Sequence, residues 1–105
     1  MAALRTRLIA RVQSLGVEDR PLPGRDDGFS SLWYRGKAFA HFHGDNELDI
    51  RLTKRVIVRE GLRHPSDSKI HPNRSNASHW IELRFHTPAD VDRVVAFVKL
   101  AVDDI

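Results

Sequence analysis

Apolar residues follow two rhythms along this chain. Leu4, Leu8, Val12 and Leu15 recur at helical spacing, with Arg5, Arg7 and Arg11 elsewhere on the wheel, which predicts a helix over 2–15 stopped by Gly16. A turn-rich connection with Pro21, Pro23, Gly24 and Gly28 follows over 18–28. Strands are then expected over 29–35, 37–43 and 47–53, divided by Arg35-Gly36 and by Gly44-Asp45-Asn46, residues that tolerate positive φ in a hairpin turn. Residues 54–62 predict a short helix closed by Gly61, although Val56-Ile57-Val58 would also suit a strand. A polar loop with Pro65 and Pro72 spans 63–78, and residues 79–86 alternate again as a strand. The last element is the best marked. Thr87 fits an N-cap, Pro88 the first helical position and Asp90 a variant capping box, ahead of a stripe of Val91, Val94, Val95, Val98, Val102 and Ile105.

The order helix-strand-strand-strand-helix-strand-helix predicts an α+β fold: a single domain over 1–105, with an antiparallel sheet of about four strands and helices packed on one face. A chain of this length buries roughly two thirds of its unfolded surface, enough for one core and a shallow cleft.

Strand alternation sorts the sheet into two faces. Ala38, Ala40 and Phe42, Leu48, Ile50 and Leu52, and Ile81, Leu83 and Phe85 form the expected core side. The opposite side collects Phe39, His41 and His43, then Glu47, Asp49 and Arg51, then Trp80, Glu82, Arg84 and His86. An ordinary wet sheet face would also carry charges. Three histidines, two aromatics and two arginines together suit a covered groove or ligand platform as well. The remaining histidines, His64, His71 and His79, show no partner in sequence and are expected to be structural or solvent-facing.

Charge and composition narrow the chemistry. There is no cysteine, which excludes disulfides, thiolate catalysis and thiolate-bound metals. No stretch approaches the ~20 apolar residues of a membrane span, and Met1–Arg5 lacks an apolar signal core, so a cytoplasmic location without membrane contact is the expectation. Residues 51–74 hold seven basic groups (Arg51, Lys54, Arg55, Arg59, Arg63, Lys69, Arg74) against Glu60 and Asp67, within a net charge of only +3. That surplus allows an anion- or nucleic-acid-binding surface, but a solvated helix and loop explain it as well, and nucleic acid is not the expected partner. Phosphate loops, dinucleotide fingerprints and the serine-hydrolase elbow are absent from the sequence. His41-x-His43-x3-Glu47 resembles the first half of a cupin metal motif, yet the second half has no counterpart and a jelly roll needs about eight strands. Neither metal nor cofactor is therefore expected.

Lys37-Ala38-Phe39-Ala40-His41-Phe42-His43, the acidic hairpin after it, Arg63-His64-Pro65, the Trp80 strand and the helix from Pro88 to Ile105 resemble the luciferase-like domain family. That family includes the luciferase of bioluminescent fungi and many small bacterial proteins. The resemblance covers roughly residues 30–105. It implies that His41 and His43 correspond to the family's paired histidines, His64 to its Arg-His-Pro and Trp80 to its tryptophan. The fungal enzymes oxidise a hydroxylated pyrone with molecular oxygen, without a known metal or flavin. Here the loop between Arg63-His64-Pro65 and Trp80 is longer, and Gly44-Asp45 and Asp49 look like the bacterial members. The fungal N-terminal extension has no counterpart in these residues, so the expectation is a shared fold without light emission. The element order is also similar to that of the YjbR-like family, a much weaker likeness.

The expected function is a small-molecule-binding or cofactor-independent oxygenase-like domain acting on a planar phenolic or pyrone-type ligand. His41 or His43 would accept a proton, and Asp49 or Glu47 would orient the imidazole. Arg51 or Arg84 would stabilise an oxyanion, and Phe39 and Trp80 would stack on the ligand, with His64 nearby by resemblance. The alternatives are a nucleic-acid- or anion-binding module through 51–74 and a structural domain that forms a homodimer.

Overall fold

The computed structural model describes residues 3–105, so the first residue of the predicted opening helix lies outside the described part. The elements are α1 (Ala3–Gln13), β1 (Glu18–Pro21), β2 (Ser30–Tyr34), β3 (Lys37–Phe42), β4 (Glu47–Arg51), α2 (Lys54–Arg59), β5 (Trp80–Arg84) and α3 (Pro88–Asp103). All neighbouring strands pair antiparallel in the order β1-β2-β3-β4-β5. The fold class is α+β as expected, with five strands where about four were predicted.

The added strand, β1, lies inside the predicted connection. Glu18-Asp19-Arg20-Pro21 shows no apolar alternation, because this edge strand is mostly exposed on both faces and buries almost nothing. Its ladder to β2, the hydrogen bond from Ser30 Oγ to Asp19 Oδ1 (2.6 Å) and Arg20 over the Trp33 ring (4.3 Å) hold it instead. Pro21, which cannot donate to a ladder, sits at the strand's end.

Both long helices pack on one side of the sheet. Leu8 and Val12 of α1 and Val91, Val94, Val95 and Val98 of α3 meet Leu32, Ala40, Phe42, Leu48, Ile50, Ile81, Leu83 and Phe85 in one buried cluster. Each large side chain removed from water there contributes about 1.5–3 kcal/mol before ordering costs. Phe42 and Phe85 meet edge to face at 6.2 Å. α3 starts where the sequence places it. Thr87 Oγ1 accepts from the Asp90 N–H (3.1 Å), and Asp90 Oδ2 accepts from the His86 N–H (2.9 Å), one residue ahead of the usual capping box. The short helix α2 is confirmed over the valine run. His79 secures its start, its carbonyl accepting from the Leu52 and Thr53 N–H groups and its Nδ1 from Lys54 N–H (2.9 Å).

One irregularity reshapes the sheet. Leu32 pairs with Ala40 and Trp33 with Ala38, so Phe39 is an extra residue on β3, a β-bulge. The bulge turns Phe39 into the core, where it is 3% exposed, and leaves Ala38 outside. Strict alternation predicts the reverse for both residues.

Candidate functional site

The sheet's second face is built by register. Ser31 lies opposite His41, His41 opposite Asp49, and Asp49 opposite Glu82, forming one row of polar side chains across β2, β3, β4 and β5. Beside it, Glu47 lies opposite Arg84, and the His43 N–H donates to the Glu47 carbonyl. Asp49 and Glu82 are almost fully buried. Two carboxylates directly opposite one another repel, so both need cations.

The long loop supplies one of them. Residues 63–78 fold back over this face and lay Ser68, His71 and Arg74 on it. Arg74 donates to both oxygens of Asp49, the Nη2–Oδ2 bond being 3.0 Å, and His71 Nε2 stands 3.3 Å from Asp49 Oδ2. Ser68 Oγ donates to Glu82 Oε1 (2.8 Å) and accepts from the His71 N–H (2.9 Å). Arg84 donates to Glu82 Oε2 from Nε (3.2 Å) and Nη2 (3.1 Å) and pairs with Asp67 at 2.9 Å. The loop is thus pinned by polar contacts, and Ser68 is its one buried residue.

The imidazoles lie in an aromatic stack. His41 is held between Trp80 (5.2 Å, 2° between planes) and Phe29 (5.5 Å, 21°), with Nδ1 3.2 Å from Ser31 Oγ. His43 meets Phe29 and His71 edge-on at 5.5 and 5.8 Å. Burial holds the pKa of both His41 and His43 below the ordinary imidazole value, an effect that Asp49 opposes and the neighbouring histidines reinforce. Both are consequently uncharged at neutral pH.

Arg5 of α1 fixes the end of this stack. It donates to the carbonyls of Gly28 and Gly44 and to Ser30 Oγ (2.8 Å), tying the turns that carry Phe29 and His43. Gly28 is required there: its φ is +81°, and a Cβ would meet Arg5 Nη1 at 3.1 Å and Gly44 Cα at 3.4 Å.

An open cleft of about 520 Å³ adjoins the cluster, lined by Phe29, His43, Glu47, Lys69, Ile70 and His86 among others. That volume lies within the range of small-molecule sites. His43 belongs both to the cleft wall and to the group around Asp49.

The structure gathers His41, His43, Glu47, Asp49, Trp80 and Arg84 on one face, and it separates the others. Phe39 is in the core and cannot stack on a ligand there. Arg51 lies at the opposite end of the sheet in a groove with Ala38, Ala101 and Asp104. His64 lines a separate hollow with Ile57, Leu62 and Asn76, its Nε2 buried without a partner. One face of the Trp80 indole is occupied by His41. Phe29, Ser31 and Ser68 were not singled out from sequence, whereas His71, expected to be structural or solvent-facing, and Arg74, counted only among the basic residues of 51–74, both reach Asp49. His71 and Arg74, three residues apart in the long polar loop between α2 and β5, are the signal that points to them.

No curated protein and no solved structure matches the chain. Residues 36–101, which span β3 to α3 and therefore nearly all of the polar row, match the luciferase domain family, and the chain belongs to it.

Proposed function

We propose that the domain binds a small, planar, weakly acidic molecule in the cleft beside His43 and serves its oxidation by molecular oxygen. The observation that carries this reading is the double position of His43, in the wall of a ligand-sized cleft and against the buried Asp49 cluster. Phe29 offers an aromatic edge, and Lys69 a cation at the cleft's rim for an anionic oxygen. His43 accepts the ligand's acidic proton, with His41 behind it in the stack. The electron-rich anion bonds O2 at carbon, and return of the proton gives a hydroperoxide. General-base assistance of this kind contributes roughly 10²–10⁴-fold.

Binding of a 4-hydroxy-2-pyrone, followed by tryptophan fluorescence, tests the reading, with oxygen consumption measured in parallel. His43→Ala is expected to abolish both signals while the protein stays folded. Undiminished binding and turnover in that variant would overturn it.

A further inference from the structure

We infer that His43, Asp49 and His71 form a binding site for one divalent transition-metal ion. One ligating atom from each lies within 4.8 Å of the other two, and His71 Nε2 is already 3.3 Å from Asp49 Oδ2. Metal–nitrogen and metal–oxygen bonds of about 2.0–2.2 Å require donor atoms roughly 3–3.5 Å apart, so small side-chain rotations complete the set. A second observation points to a ligand at the same place: His71 Nε2 is buried and makes no hydrogen bond. Two imidazoles and one carboxylate select iron, cobalt or zinc over magnesium or calcium, which prefer oxygen donors.

Arg74 is the apparent obstacle, because it engages both oxygens of Asp49. A carboxylate has about four lone-pair sites, so Oδ2 can serve a metal while Arg74 keeps Oδ1. Arg74 then acts from outside the ligand set, orienting the carboxylate as hydrogen-bonded partners do in metal sites. Glu47 and Glu82 stand close enough to His43 to act on its charge, which offsets the two arginines. The open side of the ion would face the cleft. A neutral imidazole has one lone pair to give, so the proton acceptance by His43 in the proposed function belongs to the metal-free protein, and a bound ion would hold that nitrogen as a ligand instead. The metal site itself does not depend on the molecule in the cleft.

Metal-stripped protein titrated with Co²⁺ is the test, with Zn²⁺ and anaerobic Fe²⁺ as further arms and Mg²⁺ as the control. One equivalent of Co²⁺ per chain with visible ligand-field bands is expected, along with weak or no Mg²⁺ binding. His71→Ala, in an exposed loop, is expected to weaken Co²⁺ by about tenfold or more, and Arg74→Lys by a similar or smaller factor. His64→Ala and His86→Ala should leave it unchanged. Circular dichroism verifies that each variant is folded. Co²⁺ binding that is absent, or that survives both His43→Ala and His71→Ala, overturns the inference. Pyrone binding by the metal-free protein separates the two proposals, since it reports on the cleft alone.

Discussion

The two faces of the sheet reach burial by different routes. On the helix side, alternation within each strand supplies apolar groups that need only a neighbouring helix stripe. On the other side, the same alternation supplies Asp49 and Glu82, and burial depends on a loop bringing Ser68 to Glu82 from 14 residues away and Arg74 to Asp49 from 25. The first face tolerates changes that keep volume; the second depends on particular partners being present together.

The largest effects should fall on single deletions on either face. Phe42→Ala or Phe85→Ala is expected to cost about 3–5 kcal/mol in urea unfolding. Asp49→Ala should be comparable, about 3–5 kcal/mol, because it strands Arg74 without its buried partner. The faces diverge in the double variant. Asp49→Leu with Arg74→Met should recover most of that loss, whereas no second truncation repairs Phe42→Ala. A double variant as unstable as Asp49→Ala would show that the loop docks by other means.

The bulge gives a sharper, smaller contrast. Ala40→Leu forces extra volume into the core and should cost about 1–3 kcal/mol. Ala38→Leu, on the exposed side of the bulge, should stay within about 0.5 kcal/mol. Equal costs would mean that the strand alternates without interruption.

Acid should weaken the polar face before the core. His41 and His43 titrate lower in the folded chain than their usual value of 6.5, so the unfolded chain binds protons first as pH falls. Stability of the metal-free protein is therefore complete above about pH 6.5, declines below it, and levels off once the folded imidazoles are also protonated. Urea midpoints at about pH 8 and about pH 5 check the sign, and a chain with His43→Gln should lose less over that interval. Asp90, held low by the His86 N–H, begins to matter only in stronger acid.

Local periodicity made most of the fold legible. Val91, Val94, Val95 and Val98 wrote α3 into the sequence, and the parity of His41, Asp49 and Glu82 placed them on one side. Phe39 defied that reading, because a bulge in β3 follows from how β2 pairs with it, and no glycine marks the spot. β1 escaped because its residues bury almost nothing. The docking of Ser68, His71 and Arg74 is a contact across the molecule, and a polar loop with two prolines gives no periodic signal for it. Arg5 likewise looks like one more charge on an amphipathic helix until its hydrogen bonds to Gly28 and Gly44 are seen.

The polar row also proofreads how the strands line up. A slip of one residue would drive charge into the apolar interior and is rejected at once. A slip of two keeps every oily side chain inward, so packing alone would barely notice it. Only the matched series Ser31, His41, Asp49 and Glu82 would then fall out of step, carrying Asp49 away from the place where the loop presents Arg74, while Glu82 keeps Arg84, its neighbour on the same strand.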